Sequence, residues 1–265
     1  MPVDIVVCVK QVVDPETPAS ALNINPEKTR IVAAPGNPPV LNGFDENAIE
    51  AALRLKDAFG GTVTVLSVGG DFIQEIMKKP LAMGADRLVL VEDEVAADLD
   101  SHATAYALSE AIRWIGQPDL IICGRQASDW DNAQVPLCIA EMLDFASITV
   151  ARELEISGDV LLARRAIPDG YEVLECSLPA VVTVSNELGE PRYPTLRGIM
   201  AAGRVNPTIL SANDLNLEPS RLEGKVLLSD LYIPDRENQC EVVGGGDQAD
   251  AGRLLALKLR EEGLI

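Results

Sequence analysis

The stretch PDLIICGRQASDWDNAQV, Pro118 to Val135, passes from a short apolar run, Leu120–Cys123, through Gly124 into small, polar and acidic residues. An apolar run bounded by Pro118 and Gly124 reads as a buried strand opening into a loop. At the carboxyl ends of strands in an α/β sheet, loops expose backbone N–H groups, and the following helix points its positive end at the same place. The stretch is therefore a candidate phosphate or ribose site. It predicts a further helix over Asn132–Leu143, with Asn132 or Asp131 as N-cap.

Working outward, strand and helix signals alternate. Val3–Val9 is apolar and β-branched, Asn47–Ala58 carries Ala48, Ala51, Ala52 and Leu55 at helical spacing, and Thr62–Val68 returns to a strand pattern. Phe72–Met83 predicts a helix ending before Gly84, Leu88–Val91 a strand and Ser101–Ile115 a helix. This rhythm predicts an α/β fold with a doubly wound, mostly parallel sheet and flavodoxin-like layering. After about residue 145 the pattern changes. Thr149–Ile156, Val160–Ile167 and Tyr171–Cys176 are separated by Ser157-Gly158-Asp159 and Pro168-Asp169-Gly170, which predicts antiparallel strands added at the sheet edge. Leu178–Val184 is a further strand, and Pro191–Gly203 a loop leading into a short helix.

Beyond Asn206 the chain is rich in Pro, Gly and Asp, with Gly244-Gly245-Gly246 before a final helix at Ala249–Glu262. That segment holds too little apolar material for a core of its own. Residues 1–205 are expected to form the α/β domain, and 206–265 an arm whose Leu254, Leu255, Leu257 and Leu259 need burial on another surface.

Composition excludes several classes. A net charge of −19 repels nucleic acid. No apolar run approaches the roughly 20 residues of a membrane span, and the start of the chain lacks a leader pattern, so a cytoplasmic location is expected. Cys8, Cys123, Cys138, Cys176 and Cys240 are far apart, with no C-x-x-C and a single histidine, His102. Known zinc and iron–sulfur spacings are therefore missing, and buried reduced thiols are expected. His102 has no G-x-S-x-G serine to serve and reads as a helix-end residue. There is neither a Walker A sequence nor a G-x-G-x-x-G after the first strand. Asp129 and Asp131 as alternate loop residues need not converge on a metal, so neither a metal site nor a catalytic constellation is assigned.

Six segments taken together carry a resemblance. They are Val7-Cys8-Val9-Lys10-Gln11-Val12; Asn42-Gly43-Phe44-Asp45-Glu46; Ala82-Met83-Gly84-Ala85-Asp86; Gly124-Arg125-Gln126-Ala127 with Asp129 and Gln134; Leu178-Pro179-Ala180-Val181-Val182-Thr183; and Glu190-Pro191-Arg192-Tyr193 with Leu196, Ile199 and Met200. In this order, over about residues 3 to 215, the chain resembles the beta subunit of electron transfer flavoprotein, the family that includes FixA. The resemblance implies a heterodimer with an alpha subunit that holds most of a shared FAD. It implies a second adenine nucleotide in the beta subunit, AMP in ordinary carriers and FAD in electron-bifurcating members, which take a hydride from NADH. The implied partners are an acyl-CoA dehydrogenase-type flavoenzyme and, downstream, a quinone oxidoreductase or ferredoxin. On this basis the chain is an electron carrier subunit, with NADH oxidation only in the bifurcating branch. A nucleotide-binding regulatory module of the same architecture, with no flavin, is the third alternative.

Carried onto this sequence, the resemblance implies a nucleotide site lined by Cys8, Asn42, Gly43, Phe44, Asp45, Val68, Gly124, Arg125, Gln126, Ala127, Asp129, Asp131, Asn132, Ala133, Gln134 and Val135. Asp129 suits a ribose hydroxyl, Arg125 a charged hydrogen bond, and the N–H groups of Asn132–Val135 a phosphate at a helix N-terminus. Val135 stands where ordinary carriers tend to have Thr, Ala166 where they often have Glu, and Asp169-Gly170-Tyr171-Glu172 resembles the two-flavin branch; Phe44 matches the ordinary one. Tyr193, Leu196, Ile199 and Met200 correspond to the partner-docking segment, with Leu196 as its anchor. Ala201 and Arg204 depart from the lysines common there.

Overall fold

Alternation along each central strand builds two cores at once. The computed structural model describes residues 2–27, 29–32, 36–234 and 240–265. Among these, nine strands form the main sheet: β1 (Ile5–Cys8), β2 (Val63–Gly69), β3 (Arg87–Glu92), β4 (Leu120–Gly124), β5 (Ala146–Ser157), β6 (Val160–Ile167), β7 (Gly170–Ser177), β8 (Ala180–Val184) and β9 (Thr208–Leu210). They lie in the order β7-β6-β5-β8-β4-β1-β2-β3-β9. The pairs from β5 to β9 across that row are parallel, and only β5-β6 and β6-β7 are antiparallel. The expected α/β class and its antiparallel extension are thus both present.

Because successive side chains leave a strand on opposite faces, Leu120 and Ile122 of β4 join Ile5, Val7, Val63 and Val65 under α1 (Gly43–Phe59). Ile121 and Cys123 join Val6, Cys8 and Leu66 under α4 (Ser101–Ile115) and α5 (Val135–Leu143). Strands buried on both faces read as the continuous apolar runs seen in the sequence. Each fully buried residue of the kind of Ile49, Leu53 or Ile121 contributes about 1.5–3 kcal/mol.

Three boundaries differ from expectation. The helix predicted over Phe72–Met83 is two short helices, α2 (Gln74–Met77) and α3 (Lys79–Met83), since Pro80 has no N–H to continue α2 and suits only a first turn. Leu178 and Pro179 precede β8, which begins at Ala180. The helix after β4 begins at Val135, not Asn132, with Gln134 at its N-cap and Pro136 in its first turn. Asp131 and Ala133 both have φ of 53°, a left-handed conformation that no helix continues.

The chain divides into two compact units, Met1–Leu231 and Tyr232–Ile265. β9, α6 (Leu196–Ala202) and α7 (Pro219–Leu222) belong to the first, so residues 206–231 of the expected arm include a strand of the main sheet. The second contains α8 (Gln248–Glu261), capped by Asp247 accepting from the Asp250 N–H at 2.8 Å. None of the residues of α8 is buried, and Leu255 and Leu257 are among the exposed apolar side chains. Residues 235–239 of the expected arm lie outside the described residues. Among the described residues no helix is long and apolar enough to cross a membrane.

Candidate functional site

β4 and β1 are neighbours, yet the chain leaves them in opposite directions: β1 leads through α1 to β2 on one side, and β4 through α5 to β5 on the other. Such a switch point, at the carboxyl ends of the two strands, is where α/β sheets bind ligands. The residues expected to line a site collect here. Cys8 ends β1 in register with Cys123, one residue before the end of β4, and Val68 lies near the end of β2.

The first turn of α1 lies at this switch point. Asp45 accepts from the Lys10 N–H at 2.8 Å and from the Gly124 N–H at 3.1 Å, bridging the chain just past β1 to the end of β4. Burial pushes its carboxyl up to about 7, against the hydrogen bonds from Lys10, Asn42 and Gly124 and the Lys10 charge. Gly124 is the only residue type that fits: a Cβ there would meet Asp45 Oδ1 at 2.3 Å and the Phe44 backbone at 2.8 Å. Asn42, buried like Asp45, donates from Nδ2 to the Gln126 carbonyl at 2.9 Å and accepts on Oδ1 from the Ser128 N–H at 3.2 Å.

The loop beyond is tied at three more points. Lys10 Nζ pairs with Asp129 at 2.7 Å, so the carboxylate assigned to a ribose hydroxyl already has a protein partner. Both groups are partly exposed, and the pair is worth at most about 1 kcal/mol. Gln126 Nε2 donates to Asp131 at 2.7 Å, and Asn132 Nδ2 to Ser101 Oγ at 3.1 Å, linking the loop to the start of α4. Arg125 lies with its guanidinium 5.1 Å from the centre of the Phe44 ring. Sequence separation hid Lys10 and Ser101, which meet the loop across 119 and 31 positions, although Lys10 directly follows the first strand.

The donor set fits a phosphorylated nucleotide. Among the described residues, no hydrogen bond takes up the backbone N–H groups of Asn132, Ala133 or Gln134, all three exposed at the positive end of α5. The Ser128 hydroxyl, earlier in the same loop and buried, also has no hydrogen-bond partner among the described residues. Cys8 and Cys123 are free thiols, and the neighbouring Cys8 together with burial pushes the Cys123 thiol well up, which keeps it protonated. Among the described residues, no group of three or more His, Cys, Asp or Glu side chains is placed to hold a metal. Two concavities of about 270 and 280 Å³ lie elsewhere, one around Asp119 and Pro179, the other between α1 and β5.

The segment assigned to docking forms a separate patch. Tyr193 is 90% and Leu196 76% exposed, and Ile199 and Met200 extend the same apolar surface along α6. What holds it is polar. Glu50 of α1 is buried and receives the Arg192 N–H at 3.0 Å, Arg192 Nε at 2.8 Å and Arg54 Nε at 2.8 Å. Burial works against its ionised form, but these bonds hold its carboxyl below the ordinary range. Asn47 donates to the Gly189 carbonyl at 2.9 Å and Arg54 to that of Leu188 at 3.0 Å. Behind the patch, Gly198 meets α3 so closely that a Cβ would lie 2.2 Å from the Ala82 carbonyl oxygen.

A doubly wound α/β sheet with exposed backbone donors at its switch point is the arrangement in which α/β proteins bind ligands. Comparison with known proteins narrows this. The family described as "Electron transfer flavoprotein domain" matches residues 29–215. Electron transfer flavoprotein subunit beta of Thermoanaerobacterium thermosaccharolyticum is 41% identical over 220 residues, covering 83% of this chain and 82% of that one. Its namesake in Megasphaera elsdenii is 42% identical over 208 residues, 76% and 75% of the two chains. The caffeyl-CoA reductase-Etf complex subunit CarD of Acetobacterium woodii is 34% identical over 265 residues, 98% and 99% of the two. The chain belongs to the electron transfer flavoprotein family, on its beta-subunit side.

Proposed function

We propose that this chain is the beta subunit of a heterodimeric electron transfer flavoprotein, carrying electrons between an acyl-CoA dehydrogenase-type flavoenzyme and a quinone oxidoreductase or ferredoxin. An adenine nucleotide, FAD or AMP, sits at the ends of β1 and β4. The observation that supports this most directly is the set of unengaged N–H groups at Asn132, Ala133 and Gln134, at the positive end of α5, together with the orphaned Ser128 hydroxyl of the same loop. These groups bind phosphate, and Arg125 adds a positive charge in a strongly acidic chain. A flavin, where bound, supplies reversible one- and two-electron redox chemistry. Tyr193, Leu196, Ile199 and Met200 dock the partner enzyme, and the exposed leucines of α8 pack on the alpha subunit.

A second arrangement, in which the nucleotide of this subunit is a working FAD that accepts electrons from NADH, draws support from Val135. At the first position of α5 its apolar side chain packs toward the core shared by α4 and α5, so no hydroxyl is offered to a nucleotide phosphate there. Counting cofactors in the purified heterodimer tests both. One flavin with one AMP per dimer supports the ordinary carrier, and two flavins, one of them bleached by NADH, the bifurcating form. A preparation without flavin or AMP refutes both.

A further inference from the structure

Asp45 stands out because a carboxylate at the start of a helix ordinarily faces solvent, where it favours the positive helix end. Here it is 6% exposed and points inward, with Oδ2 on the Lys10 N–H and Oδ1 on the Gly124 N–H. The space beside Gly124 is filled by Asp45 Oδ1 and the Phe44 backbone, and each carboxylate oxygen is taken by a backbone N–H. Asn42, 1% exposed, is likewise committed to the Gln126 carbonyl and the Ser128 N–H.

We propose that Asp45 is a positioning residue of the nucleotide site: its carboxylate touches no ligand, and by fixing the exits of β1 and β4 to α1 it shapes the Gly124–Val135 loop before nucleotide arrives. This role rests on the nucleotide site proposed above. It amounts to preorganisation, in which the order of the donors is built into the free protein and is not drawn from binding. The titratable and charged groups facing Asp45 are Lys10 past β1 and Cys123 on β4; Cys123 is in turn hydrogen-bonded to Cys8, Lys10 is paired with Asp129, and Arg125 lies over Phe44. Burial places the titration of Asp45 near neutrality. When ionised, both oxygens accept from backbone N–H groups. When protonated, one oxygen carries a hydrogen of its own in a site already lined by two backbone donors and the Asn42 side chain, and one tie weakens.

The test uses the full-length chain co-expressed with its alpha subunit and stripped of nucleotide, beside Asp45→Asn and Asp45→Ala variants. AMP and FAD are titrated between pH 6 and 8.5, and backbone hydrogen exchange is followed at residues 124–128 without nucleotide. The parent is expected to bind about tenfold more tightly than Asp45→Asn at pH 8, a difference that shrinks toward pH 6 as the parent protonates. The variant's own profile then reports only the ligand phosphate, and its loop exchanges faster at pH 8. Parallel pH profiles for parent and variant, or unchanged exchange, overturn the role of Asp45 alone. Failure of the parent to bind either ligand overturns the nucleotide site itself, and this role with it.

Discussion

Replacing Asp45 by asparagine should remove a pH dependence that this carboxylate imposes on folding. Its carboxyl is raised by burial from 3.8 to about 7, so the folded state prefers the protonated form. With the folded pKa above the unfolded one, the stabilising contribution is complete below about 3.8 and is lost as pH rises through about 7. At about 1.4 kcal/mol for each tenfold in proton affinity, the full swing is about 4 kcal/mol, of which roughly 2–3 kcal/mol falls between pH 5 and pH 8. Asparagine carries no such charge, but its amide nitrogen faces one of the two N–H donors and leaves it unpaired, at a pH-independent cost of about 1–3 kcal/mol. Urea unfolding of parent and Asp45→Asn, followed by circular dichroism in matched buffers from pH 5 to pH 8, measures the difference. The gap should move in favour of the variant by roughly 2–3 kcal/mol across that range. A gap that stays flat would mean that Asp45 is ionised throughout, and the burial argument would be refuted.

Leu196→Ala should leave stability within about 0.5 kcal/mol of the parent, since the side chain is 76% exposed. The same change should weaken docking to the partner dehydrogenase by about 1.5–3 kcal/mol, seen as slower flavin reduction at limiting partner concentration in stopped-flow; unchanged rates would remove Leu196 as the anchor. Glu50→Gln keeps the shape of the side chain but not its charge, so the Arg192 contacts lose about 1–3 kcal/mol. Limited trypsin digestion should then cut faster after Arg192, and equal cleavage rates would mean that Glu50 does not hold the docking segment.

Much of this fold was legible because the central strands are buried on both faces and their apolar runs start just after Asp4, Gly61, Asp86, Asp119 and Pro179. The edge extension was legible from its turns at Ser157-Gly158-Asp159 and Pro168-Asp169-Gly170, now the turns joining β5 to β6 and β6 to β7. Helix starts were less so. Asn132 looked like a cap, but Pro136 belongs in a first turn, and that preference alone would have moved the start to Val135. β9 escaped notice because Thr208–Leu210 is short, half exposed and set among turn residues. The polar framework of the site was the least visible part. Asp45 meets Gly124 across 79 positions and Glu50 meets Arg192 across 142, and nothing local distinguishes a carboxylate with such a partner from one in water. Neither the spacing nor the composition of α1 reveals which of its acids turn inward.

Helix α1 therefore does two unrelated jobs at fixed separation. Its first turn holds the loop at the ends of β1 and β4, while Asn47, Glu50 and Arg54 hold the Leu188–Arg192 backbone from which the docking patch projects. At 1.5 Å per residue, Asp45 and Glu50 stand roughly 7.5 Å apart along the axis, a length that backbone hydrogen bonding keeps from stretching. On the proposed function, the helix is a gauge between nucleotide and partner enzyme. A single residue inserted between Asp45 and Asn47 would swing the second set of contacts about 100° around the axis relative to the first, disengaging the proposed docking patch while every side chain that makes it remained in the sequence.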